Sequence, residues 1–196
     1  MLNKITKLFS VLSTVVLLSV TQSAMAVPIN GEISISGAFI PVGGTGIGFT
    51  DATGVDFLEW NGSAYVSGTA GGSFTVGAVS GDFAGYITPS PFILGNINDF
   101  MFTDPFTAVA PLWSIGGFSF DLTSLTIVEQ TSGTLILAGA GSVYGNNFDT
   151  SDGSWKLTAN SLGTTFSWSA SASAPEPASL ALLAIGLLGL GFSRRK

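Results

Sequence analysis

Cysteine and histidine are both missing from the 196 residues, and the only arginines are Arg194 and Arg195 at the C-terminal end. Without cysteine there is no disulfide framework, so stability has to come from packing and hydrogen bonds. Without histidine or cysteine, Ser-His-Asp and Cys-His nucleophile arrangements and the usual zinc sites cannot be built. Basic residues are Lys4, Lys7, Lys156, Arg194, Arg195 and Lys196, which leaves Lys156 alone between residues 27 and 174. Nothing there can clamp a transferring phosphoryl group. Eleven acids against that one lysine give the same stretch a charge near −10. Such a surface repels phosphate, so nucleic acid is excluded as a partner. The run Gly43-Gly44-Thr45-Gly46-Ile47-Gly48 lacks the Walker spacing and lysine, and reads as a loop.

What the chain does have is concentrated first at its two ends. Lys4 and Lys7 precede an apolar stretch from Leu8 to Val20, and Ala24-Met25-Ala26 follows with small residues at its outer positions. This is the layout of a secretory signal peptide over 1–26, cut between Ala26 and Val27, with Ala24 and Ala26 read by signal peptidase. At the other end, Ala178 to Ser193 holds 16 uncharged residues, including Leu180, Leu182, Leu183, Ile185, Leu187, Leu188, Leu190 and Phe192. As a helix this run spans roughly 24 Å, short of a hydrocarbon core of about 30 Å but workable where the bilayer thins or flanking residues snorkel. Arg194, Arg195 and Lys196 stop transfer and hold the C-terminus on the cytoplasmic side. Pro175 and Pro177 keep a helix from propagating backward and display Glu176 on an extended stretch.

Pro175-Glu176-Pro177, the apolar run and the basic end together resemble the PEP-CTERM sorting tail of Gram-negative bacteria. That resemblance covers about 23 residues and implies an exosortase, a membrane protease-transpeptidase, as processing partner. It also implies an exported chain with an inner-membrane intermediate, bound for the outer surface or the extracellular space. Ala174 stands where that family often has valine. Three further segments resemble stretches recurring in one broad group of PEP-CTERM ectodomains: Gly54-Val55-Asp56-Phe57, Gly81-Asp82-Phe83-Ala84-Gly85 and Leu112 to Leu122. They imply a β-rich body and no particular activity.

Between the signals lies one domain by length, long enough to bury a core. Its hydrophobic periodicity is two. Ile33 and Ile35, Phe118, Phe120 and Leu122, Leu125 and Ile127, Leu135 and Leu137, Trp155 and Leu157, and Phe166 and Trp168 alternate mostly with Ser, Thr, Asp or small residues. Asn61-Gly62, Gly71-Gly72, Gly116-Gly117, Ser132-Gly133, Asn146-Asn147 and Asp152-Gly153 supply turn chemistry. Thr88 to Pro111, with four prolines, reads as irregular loop around a strand from Ile97 to Phe102, and Ser167 to Ala174 as a spacer. The expected fold is all-β, an antiparallel β-sandwich or jelly roll, with a signal helix before it and a short transmembrane helix after it. The division is 1–26 signal peptide, 27–170 ectodomain, and 171–196 linker plus tail, with the span at 178–193.

Carboxylates are the chemistry left to the body. Asp56 with Glu59, or Asp149 with Asp152, are the pairs available for glycoside hydrolysis, but residues three apart on a strand face opposite ways. Asn147, Asp149, Ser151 and Asp152 before Gly153 place oxygens in a tight loop, a weak calcium candidate without EF-hand spacing. Asn61-Gly62-Ser63 matches a glycosylation sequon and reads as a hairpin turn. Trp60, Trp113, Trp155 and Trp168 are core aromatics unless one sheet turns several of them outward as a sugar platform. The expectation is an exported, non-enzymatic structural or interaction protein associated with biofilm exopolysaccharide, with no cofactor. A carbohydrate-binding module or carboxylate glycosidase is the alternative.

Overall fold

The computed structural model describes residues 27–45, 48–68, 71–160 and 163–172; for 91, 92 and 163–172 it gives the backbone path. The signal segment, the apolar run and the sorting residues Pro175, Glu176 and Pro177 lie outside this range.

Eleven strands follow one another: β1 (Gly31–Val42), β2 (Gly54–Trp60), β3 (Tyr65–Ser67), β4 (Gly72–Val79), β5 (Ser90–Ile97), β6 (Phe100–Met101), β7 (Val109–Ile115), β8 (Phe118–Gln130), β9 (Thr134–Gly145), β10 (Phe148–Asn160) and β11 (Gly163–Ala172). One 3₁₀ turn, Gly81–Gly85, sits between β4 and β5. Every strand pair is antiparallel. Strands β1, β4, β5, β7, β8, β9, β10 and β11 pair in that order, and β11 pairs back onto β1. The pairing thus describes one curled sheet that closes on itself, where a sandwich or jelly roll was expected. β2 leaves the ring to pair with the far half of β1, and carries β3 and β6.

Alternation makes this closure possible. Along β10, Ser151, Gly153, Trp155, Leu157 and Ala159 are buried while Asp152, Ser154, Lys156, Thr158 and Asn160 are exposed. Ile33, Ile35, Phe74, Phe118, Phe120, Leu122, Leu135, Leu137 and Leu157 line the inside, each with almost no exposed surface. Burying one such side chain contributes about 1.5–3 kcal/mol. Ring packing is dense: Trp113 stacks on Phe120 at 5.7 Å and meets Phe74 edge-on at 6.4 Å. Apolar inside and polar outside is the inverse of a transmembrane β-barrel. Among the described residues no helix is long and apolar enough to cross a membrane.

Several expected boundaries move. Asp152-Gly153 is strand, not turn; the turn is Asn146-Asn147, both with positive φ, which suits a two-residue hairpin. Ser167 to Ala172 belongs to β11, because its Ser-Ala alternation serves as a strand pattern with small side chains. The proline-rich stretch supplies β5 and β7 as well as the short β6. It does so by bulging: the β4–β5 register jumps between Val76–Ser90 and Thr75–Leu94, which lifts Pro91 out of the ladder. The β7–β8 register jumps between Val109–Leu122 and Trp113–Phe120, and Pro111 falls in that gap. Two further bulges, past Leu122 and past Ile127, break the phase of β8, so Leu125 is half-buried and Ile127 is 41% exposed.

The ring has two distinct poles. Gly31, Ala172, Gly116-Gly117 and Asn146-Asn147 lie at one, which we term the terminal pole. The far end of β1 and the β8–β9 turn at Thr131 to Gly133 lie at the distal pole.

Candidate functional site

At the distal pole the C-terminal half of β2 passes against the start of β4. Gly71 and Gly72 make this approach possible: a Cβ on Gly72 would meet the Leu58 carbonyl, and Gly71 has φ +80° with the Ile97 carbonyl where its Cβ would be. Asp99 fastens the approach, its Oδ1 accepting from the Phe57 amide at 2.7 Å and its Oδ2 from the Gly71 amide at 3.0 Å. The Trp60 amide donates to the Ser73 hydroxyl oxygen at 2.7 Å, and Ser73 is buried. Asn98 completes the frame: its amide Nδ2 donates to the Pro111 carbonyl and its backbone N–H to the Leu112 carbonyl, both at 2.7 Å.

These bonds leave a cleft of about 170 Å³ lined by Glu59, Ser73, Asn96, Asn98 and the Gly71-Gly72 backbone. Ser73 and Asn96 are cross-strand partners and so stand side by side in it. The lining mixes carboxylate, amide and hydroxyl groups and carries no cation, which suits a neutral polyhydroxyl ligand better than an anion. Its size is below the roughly 300–1,000 Å³ of pockets that enclose a drug-sized molecule, so it admits only the end or edge of a larger one.

Asp56 sits at the margin of this region. Its burial, and then the neighbouring Asp99 carboxylate, raise it above the ordinary aspartate range. Glu59 is exposed and lines the cleft while Asp56 is half-buried beside Asp99, in keeping with the opposite facing that their three-residue spacing on a strand implies. On the β2–β3 hairpin Trp60 is 37% exposed and meets Tyr65 edge-on at 5.1 Å. Trp113 and Trp155 are buried in the ring, and the Trp168 side chain lies outside the described set. The Asn61-Gly62 hairpin turn is closed by Asn61 Oδ1, which accepts from the amides of Ser63 and Ala64 at 3.0 Å each.

The calcium candidates are at the opposite, terminal pole and are spread out. Asn147 forms the corner of the β9–β10 turn, while Asp149 and Asp152 are exposed positions on β10. The Asp149 amide donates to the Val27 carbonyl, tying the segment before β1 to β10. Among the described residues, no group of three or more His, Cys, Asp or Glu side chains is placed to hold a metal ion. A polar frame not legible in the sequence lies in the β1–β2 connection, where the Thr45 hydroxyl, and then the Thr45 amide donating to Asp51 at 2.6 Å, hold that carboxylate below its ordinary range.

The fold and the cleft define an all-β, outwardly polar ectodomain. Its destination comes from the tail: residues 173–196 match the PEP-CTERM protein-sorting motif, one residue beyond the last strand. No curated protein and no solved structure matches the chain. The chain is therefore an exosortase-sorted, exported protein carrying an ectodomain whose own role has to be argued from its surface.

Proposed function

We propose that this is a non-enzymatic structural or interaction protein of the cell surface or extracellular matrix, delivered there beside exopolysaccharide after signal peptidase and exosortase have acted. The motif at 173–196 carries the reading. The body supports it by what its groups already do: Asp99 is engaged by two backbone amides, and Asp121 accepts from the Tyr144 hydroxyl at 3.0 Å. The test is the intact mass of the protein recovered from its producing cells, with Asp-directed digestion because Lys156 is the body's single tryptic site. A chain running from Val27 to an end between Pro175 and Ala178, found outside the cell, is the expected result. A chain still ending at Lys196 in the inner membrane overturns it.

The amide and hydroxyl cleft beside Glu59 supports a second reading, a carbohydrate-binding module. Saturable binding of the exported protein to a neutral polysaccharide without calcium, lost in Asn96→Ala, is its signature. Indifference to neutral and acidic polysaccharides alike leaves the structural role.

A further inference from the structure

β11 is held on both sides to its last residue. Ala172 is the register partner of Gly31 on β1 and of Gly153 on β10, and Ser171 that of Glu32 and Ser154. Five residues, 173–177, separate this double ladder from the apolar run that begins at Ala178. Fully extended they reach about 17 Å, less than half the diameter of about 40 Å expected for a compact body of this length. The terminal pole is thus pressed close to the membrane in which the sorting enzyme works.

An enzyme that takes up an extended segment by main-chain pairing needs backbone N–H groups. Pro175 and Pro177 have none, so the pairing residues on the body side of the motif have to come from before Pro175. Only Ser173 and Ala174 stand between it and the ladder. We infer that the segment taken up by the sorting enzyme reaches back into β11, so that tail removal requires the Ser171 and Ala172 pairs with β1 and β10 to open.

The ladder is built to open that far and no further. Its last rung flanks Ala172 with two glycines, Gly31 and Gly153, which bring no side chains to separate. The rung after Ser171 joins Ala170 to Ile33 and Trp155, both buried in the core, where opening becomes costly. Cleavage of such a site follows the population of the open form when opening and closing are fast.

The inference rests on the reading that the tail is cut, and the experiment separates the two. A cysteine pair, S154C/S171C, is placed across the ladder in a chain with no cysteine of its own, with E32C/S171C as a second lock on the β1 side. In the oxidising exported compartment the disulfide forms and pins the rung. The locked chain is expected to keep its tail, with cleavage slowed about tenfold or more and restored by reductant. A spacer of about eight Gly and Ser residues after Ala174 supplies free extended chain, so the spaced chain is cut at the wild-type rate with the lock in place. Wild-type cleavage of both locked chains overturns the inference alone, as does a locked, spaced chain that stays uncut. A wild-type chain that is never cut overturns the proposed function and this inference together.

Discussion

Asp99 joins two backbone segments that no regular ladder connects, the Phe57 amide on β2 and the Gly71 amide before β4. Asp99→Ala leaves both donors without that partner and is expected to lower stability by about 1–3 kcal/mol. Urea denaturation measures it, and Asp99→Asn, which keeps one acceptor oxygen, should lose less. Its neighbour Asp56 shows the opposite relation. Burial and Asp99 raise its folded value above that of the unfolded chain, so the fold holds this proton more tightly. The resulting stabilisation is complete below the ordinary aspartate range and is lost as pH rises through the raised value. At neutral pH an ionised Asp56 works against the fold. Asp56→Asn is therefore expected to raise the urea midpoint at about pH 7, with the gain vanishing toward about pH 3. A gain that persists at the acid end would mean packing, not charge, is responsible. Nothing in the sequence distinguishes Asp99 from the other acids, since its role depends on β2 passing against β4, which is a tertiary event.

Among the elements, legibility follows phase. Ile33 and Ile35, Phe118 to Leu122, Leu135 and Leu137, and Trp155 and Leu157 occupy the inner face that their alternation with small and polar residues marks. Bulges hide the rest. A proline-rich stretch is read as loop because proline cannot serve a regular ladder, and here Pro91 and Pro111 fall where the register jumps. The candidate cleft was invisible for a similar reason: Ser73, Asn96 and Asn98 acquire meaning only when β5 is a strand beside β4. Glycine within β5 has a specific use. Gly95 is the cross-strand partner of Phe74, whose ring occupies the place where a Cβ on Gly95 would lie. Gly95→Ala should cost about 1–3 kcal/mol by overpacking. The added methyl would meet side-chain atoms, so Phe74→Leu in that background should recover part of the loss. Strictly additive urea midpoints would place the strain in the backbone instead.

On the scale of the whole molecule, closure and delivery depend on the same strand. β11 removes two edges from the ring at once, along Gly31 to Ala38 of β1 and Gly153 to Asn160 of β10. Unpaired edges of that length are templates for association with another chain. A chain ending at residue 162 is therefore expected to lose stability and to form oligomers or aggregates, while one ending at residue 174 stays monodisperse in size-exclusion chromatography with light scattering. Equal behaviour of the two would show that closure by β11 is dispensable. The charge near −10 sharpens the contrast, because it disfavours close approach of like copies unless open edges give them something to pair with. Both ends of the folded body leave from the terminal pole, since Gly31 and Ala172 are ladder partners. Where the tail is removed as proposed, the resulting C-terminus lies at that pole, and the cleft of Glu59, Ser73, Asn96 and Asn98 is presented on the opposite side.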